Sequence, residues 1–223
     1  IVALDLLAET GITHSRWWLT DKPIVERFYE KGIGLYTYPY AKNMDNGVAL
    51  GVHVFSGPGN EPDLKTTPIE KYVENLKKVH AKKERLSPEA VICAPSSGLE
   101  DHSIEWLDTM YSLGTKEYFE VLDLHTYTKV AGGHLQPDGY PIGAPEAMFD
   151  NMRKVREVMA KYDDLDKPII STEFGYSESP VNNPSGKITP TIKAEYLVRG
   201  LVIHNVLGFK RVFLYSFFDE GRD

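Results

Sequence analysis

One cysteine in 223 residues, Cys93, leaves no intrachain disulfide possible. Its setting, Val91-Ile92-Cys93-Ala94, reads as a buried strand, so a core thiol is expected rather than a nucleophile. No apolar run approaches the ~20 residues that span a bilayer, so no membrane partner is expected. Positive charge is also scarce. Lys and Arg number 25 against 32 Asp and Glu, a net charge of -7, which argues against nucleic acid as a partner. The longest basic cluster, Lys77-Lys78 to Lys82-Lys83-Arg85, sits on a predicted helix and reads as a solvated face. The seven histidines show no His-x-His or His-x-x-x-His spacing, so no metal ligand set is expected. Gly57-Pro58-Gly59 is not a Gly-x-Gly-x-x-Gly loop opening a helix, and no cofactor is implied. Internal repeats and low-complexity segments are missing too.

Apolar strands alternate with amphipathic helices over most of the length, the pattern of a parallel α/β fold. Strands are expected at Ile12 to Trp18, Ile33 to Tyr38, Gly51 to Ser56, Ala90 to Ala94, Phe119 to Thr126, Pro168 to Thr172 and Arg211 to Ser216. Helices are expected at Val2 to Glu9, Pro23 to Glu30, His102 to Leu113, Pro145 to Tyr162 and Pro190 to Leu207, with Gly114 and Gly208 as stops. The clearest boundary is Thr67-Pro68-Ile69-Glu70, which reads as an N-cap, a proline at the first helical position and a capping-box glutamate. Behind it Ile69, Tyr72, Val73, Leu76 and Val79 recur on one face.

These units predict a (β/α)₈ TIM barrel, taken as a single catalytic barrel over residues 1–223. It is expected to be incomplete at the N-terminus, where the chain opens inside a helix, and around residues 39–50. The stretch between Tyr38 and Gly51 is too short for the usual crossover of a dozen or more residues. Residues missing at both places would bring the barrel toward its ordinary ~250 residues.

Active sites of such barrels sit at the C-terminal rim of the strands. Glu61 lies just past one strand and Glu173 ends another, so both carboxylates are predicted at one rim although 112 positions (173 − 61) separate them. Glycosidic cleavage needs such a pair: an acid for the leaving oxygen and a carboxylate for the anomeric carbon. Asn60 can hydrogen-bond a sugar hydroxyl beside the reacting carbon, and Pro58 and Pro62 stiffen its loop. In Asp123-Leu124-His125-Thr126-Tyr127, alternation puts His125 and Tyr127 on one strand face. Trp17 and Trp18 are candidate sugar-stacking platforms, with core packing the other use for at least one. Thr128 to Pro145, with Gly132-Gly133-His134, is long enough to wall a cleft or to be an uninvolved surface loop.

Gly57-Pro58-Gly59-Asn60-Glu61-Pro62 and Ser171-Thr172-Glu173-Phe174-Gly175 resemble the fourth- and seventh-strand motifs of clan A glycoside hydrolases. The resemblance runs over nearly the whole chain, from the second strand of such a barrel to the eighth. It implies retaining hydrolysis of a β-linked oligo- or polysaccharide, with Glu61 as acid/base, Asn60 as the 2-hydroxyl contact and Glu173 as nucleophile. It further implies Tyr127 as a hydroxyl donor to the nucleophile and Arg16 as a cation beside it, with His125 binding sugar or orienting a carboxylate. His14 shares the strand face of Arg16. The last strand, Val212-Phe213-Leu214-Tyr215-Ser216-Phe217-Phe218, departs from the clan pattern, in which a Trp often floors the sugar site. Tyr215, Phe217 or Phe218 must serve instead, or the platform comes from elsewhere. Secretion or a periplasmic location is an expectation from the resemblance alone. The rivals are a non-catalytic carbohydrate-binding barrel, a transglycosylase using the same residues, and a metal-dependent barrel hydrolase. Sugar, linkage, endo or exo action and oligomeric state are not encoded in these motifs.

Overall fold

The computed structural model describes residues 2–17, 22–37, 44–128, 143–177 and 188–215. Seven strands form one sheet: β1 (His14–Trp17), β2 (Gly34–Thr37), β3 (Val54–Ser56), β4 (Val91–Ser97), β5 (Val121–His125), β6 (Ile169–Phe174) and β7 (Arg211–Leu214). Their spatial order is their chain order, and every neighbouring pair is parallel. The helices between them are α2 (Lys22–Glu30), α3 (Met44–Ala49), α4 (Ile69–Leu86), α5 (Asp101–Ser112), α6 (Met148–Lys161) and α7 (Pro190–Val206), with α1 (Val2–Glu9) ahead of β1. The sheet curls until β1 and β7 touch, without a ladder between them among the described residues. The result is a nearly closed TIM barrel.

Two apolar clusters follow from strand alternation. Tyr36, Cys93, Ile170 and Phe213 fill the barrel itself, with the rings of Tyr36 and Phe213 5.6 Å apart. Leu122 and Leu124 belong to the second cluster, which lies between strands and helices and includes Leu76 of α4, Met110 of α5 and Val155 of α6. Cys93 is a core thiol, with burial raising its pKa well above the ordinary value.

Three local expectations need correction. The stretch around residues 39–50 does carry a helix, α3, which buries Met44 and Gly47. Residues 38–43, ahead of it, lie outside the described residues. At α4 the capping box does not form: Pro68 has an extended ψ of 140° and is itself the N-cap, with no side-chain cap. The helix starts one residue later than the pattern implies, which puts Thr67 out of reach. Finally β4 does not stop at Ala94. It runs on through a cis Ala94–Pro95 bond and a register shift to Ser97, and this extension brings Ser96 to the rim. Gly114 and Gly208 do end their helices at positive φ. Among the described residues no helix is long and apolar enough to cross a membrane.

Candidate active site

The rim is assembled from the ends of β1, β3, β5 and β6. Glu61 follows β3 in a loop that crosses to β4, where its N–H donates to Ser96 O at 3.0 Å. Asp63, two residues on, accepts from Ser103 Oγ at 2.6 Å and Gly98 N–H at 3.2 Å. Glu173 lies near the end of β6, in register with His125 of β5. The separation of 112 positions (173 − 61) is thereby bridged by two neighbouring strands and one loop. A carboxylate oxygen of Glu61, one of Glu173 and Nδ1 of His125 all lie within 4.8 Å of one another.

Each glutamate has distinct partners. Arg16 of β1 donates to Glu173 Oε1 at 2.5 Å, and Tyr127 donates to Oε2 at 2.9 Å. The second guanidinium nitrogen of Arg16 donates to Asn60 Oδ1 at 2.8 Å, which fixes the Asn60 amide beside Glu173. His125 has a fully buried side chain, with Nδ1 3.2 Å from Glu61 Oε1 and 3.5 Å from Glu173 Oε2. Its Nε2 lies 3.5 Å from Arg16. That arrangement fits the tautomer with Nδ1–H toward the carboxylates. Burial, reinforced by the Glu173 charge, pushes the Tyr127 phenol far up, so it remains a donor at any working pH.

Below this layer is a second one. Asp123 is fully buried and accepts from Tyr36 at 2.7 Å, from Thr172 at 2.5 Å and from Ser96. The Arg16 guanidinium lies 5.9 Å from the Tyr36 ring centroid, so the buried anion underlies the buried cation. Asp123, His125 and Tyr127 share one face by simple alternation. That signal was present in the sequence, where Asp123 drew no role. Behind β5 and β6, His204 of α7 lies 2.7 Å from Thr126 Oγ1, which lies 2.6 Å from Ser171 Oγ. Ser171 Oγ in turn donates to the Glu173 carbonyl at 3.2 Å. His204 Nδ1 lies 2.6 Å from Gly200 O, and a carbonyl can only accept, so Nδ1 carries the proton. Nε2 is then the acceptor for Thr126, and burial holds the ring neutral by lowering its pKa to about 4.

Two expected sugar contacts fall differently. Trp17 is not gathered into the site. It follows Arg16 directly, so the strand turns it to the opposite face, where it lies 5.8 Å from the Phe28 ring of α2 and is 43% exposed. Tyr215 does reach the rim, and the proximity of its phenol adds to the upward shift at Tyr127. Its N–H donates to Phe174 O at 2.9 Å. Any Cβ at residue 175 would stand 2.2 Å from the Tyr215 carbonyl oxygen, so only glycine admits this approach. Trp18, Phe217, Phe218 and the Gly132-Gly133-His134 stretch lie outside the described residues.

Glu61, His125 and Glu173 could each offer one ligand atom to a cation. Arg16 already occupies one Glu173 oxygen, and its fixed charge opposes a second cation in the same place.

No protein-family model matches the sequence, and neither does any curated protein. Solved structures do match. A GH39 enzyme from Xanthomonas axonopodis pv. citri has a TM-score of 0.72 at 16% identity, over 96% of this chain and 54% of that one. A glucosidase from Croceicoccus marinus gives 0.70 at 12% identity, over 95% and 55%. These likenesses show a shared barrel fold. A monomeric β-xylosidase from Caulobacter crescentus CB15 gives 0.68 at 16% identity, over 96% and 56%. The chain thus spans a little over half the length of these barrel enzymes.

Proposed function

We propose that the chain is the catalytic barrel of a retaining glycoside hydrolase acting on a β-linked glycan. The observation that carries this reading is the carboxylate oxygen of Glu61 within 4.8 Å of one of Glu173. Retaining enzymes hold their carboxyls about 5–5.5 Å apart, whereas inverting ones need about 6.5–9.5 Å to admit a water.

In the first step Glu61 gives its proton to the glycosidic oxygen while Glu173 attacks the anomeric carbon from the opposite face. The bond to the leaving alcohol breaks and a glycosyl ester forms on Glu173. In the second step Glu61, now a carboxylate, takes a proton from water. That water displaces Glu173 and restores the original anomeric configuration. Arg16 and Tyr127 orient Glu173 and keep its charge in place between turnovers. Asn60 contacts the 2-hydroxyl, and the ring of Tyr215 walls the sugar in place of the clan's tryptophan. A carbohydrate-binding barrel without turnover would have no use for a buried Arg16 and a phenol committed to one carboxylate.

The neighbours' names justify xylosides and glucosides as first probes. Incubation with 2,4-dinitrophenyl 2-deoxy-2-fluoro-β-xyloside or -glucoside should add one fluoroglycosyl mass to the intact protein, and peptide mapping should find it on Glu173. Turnover of the parent dinitrophenyl glycosides with no labelling at Glu173, or with inverted product by NMR, overturns the mechanism.

A further inference from the structure

Of the two glutamates, only Glu61 has a left-handed backbone, with φ 47° and ψ 58°. In that conformation the Cβ crowds the carbonyl oxygen, a cost that glycine escapes, so neighbouring contacts must impose it on a glutamate. Upstream, the contact is its own N–H on Ser96 O of β4. Downstream, the chain makes a single 3₁₀ turn, Pro62–Leu64, and residues 64–68 are exposed. The last firmly held side chain after Glu61 is therefore Asp63.

Asp63 is held by another element. Its side chain is fully buried. It accepts from Ser103 Oγ in the first turn of α5 and from Gly98 N–H in the β4–α5 turn, at 2.6 and 3.2 Å. His102 Nε2 stands 4.0 Å away. The start of α5 adds a favourable dipole for a carboxylate. The seat is tight, since a Cβ on Gly98 would come 2.3 Å from Glu100 Oε2, 3.0 Å from Ser103 Oγ and 3.4 Å from Asp63 Oδ2. The loop of Glu61 is thus pinned on both sides to β4 and α5, not to the strand that precedes it.

We propose that Asp63 is a positioning residue for Glu61, clamping the strained backbone so that the Glu61 carboxyl faces the glycosidic oxygen. The proposal rests on the reading of Glu61 as acid/base. Its signature is chemical: loosening the clamp should harm proton donation and spare nucleophilic attack.

The test compares kcat/KM, which reports glycosylation, on phenyl and 2,4-dinitrophenyl β-glycosides of the sugar the wild type accepts. Phenol leaves only with acid help, while dinitrophenolate needs none. Asp63→Ala should slow the phenyl glycoside by about ten- to a hundredfold, a part of what a general acid contributes, and leave the dinitrophenyl glycoside nearly as fast. Asp63→Asn retains an oxygen for Ser103 and Gly98 and should restore most of the loss. Ser103→Ala offers a milder version if Asp63→Ala does not fold. Equal slowing of both substrates in Asp63→Ala and Ser103→Ala overturns the clamp. Wild-type protein that hydrolyses neither glycoside overturns the hydrolase reading instead.

Discussion

Protonating His204 should cost the protein its neutral hydrogen-bond chain. The ring sits with Phe174 and Phe209 at centroid distances of 4.7 and 4.8 Å and spends its two nitrogens on Gly200 O and Thr126 Oγ1. A protonated ring would present an N–H to a hydroxyl that is already donating to it, in a site closed to bulk solvent. Burial lowers the His204 pKa from 6.5 to about 4. The unfolded chain therefore binds this proton more tightly than the folded one. The stabilisation is complete above pH 6.5 and is lost as the pH falls through the window from 6.5 to 4. At 1.36 kcal/mol per pH unit, the loss reaches about 2 kcal/mol at pH 5 and about 3 kcal/mol at pH 4. Urea unfolding of wild type and His204→Gln at pH 8 and pH 5 isolates this contribution, because carboxylates and the other histidines titrate alike in both proteins. The stability difference between them should shrink by about 2 kcal/mol at the lower pH. A difference that stays constant with pH, or an NMR titration of His204 near 6.5, refutes the buried neutral imidazole.

Two further predictions concern the rim. Arg16→Met removes the charge-assisted hydrogen bond on Glu173 and should lower kcat/KM on dinitrophenyl glycosides by about ten- to a hundredfold, read from initial rates. Glu61→Gly relieves a left-handed residue and should raise the unfolding free energy by about 1 kcal/mol in urea while abolishing hydrolysis of phenyl glycosides. A destabilised Glu61→Gly protein would show that the loop carries no strain.

Periodicity was enough to place all seven strands and the long helices, because alternation and 3.6-residue spacing are local properties of buried faces. The short α3 escaped it, since six residues are too few for a period to show. The capping box at Thr67 misled for a related reason: the motif matches, but Pro68 chose an extended backbone. Alternation already contained the outward turn of Trp17, because Arg16 and Trp17 are consecutive and cannot both face the barrel. It also placed His125 and Tyr127 together, with Asp123 behind them.

By itself, then, the chain determined a parallel barrel and two glutamates at the ends of its strands. Only the tertiary structure decided how near those carboxylates stand, that Arg16 also holds Asn60, and that Asp63 and His204 tie the loop and the strands to their neighbours. Those facts depend on how far the sheet curls and on which strand the loop after β3 crosses to. Neither is a local property, since a carboxylate pair 112 positions apart is set by packing between elements.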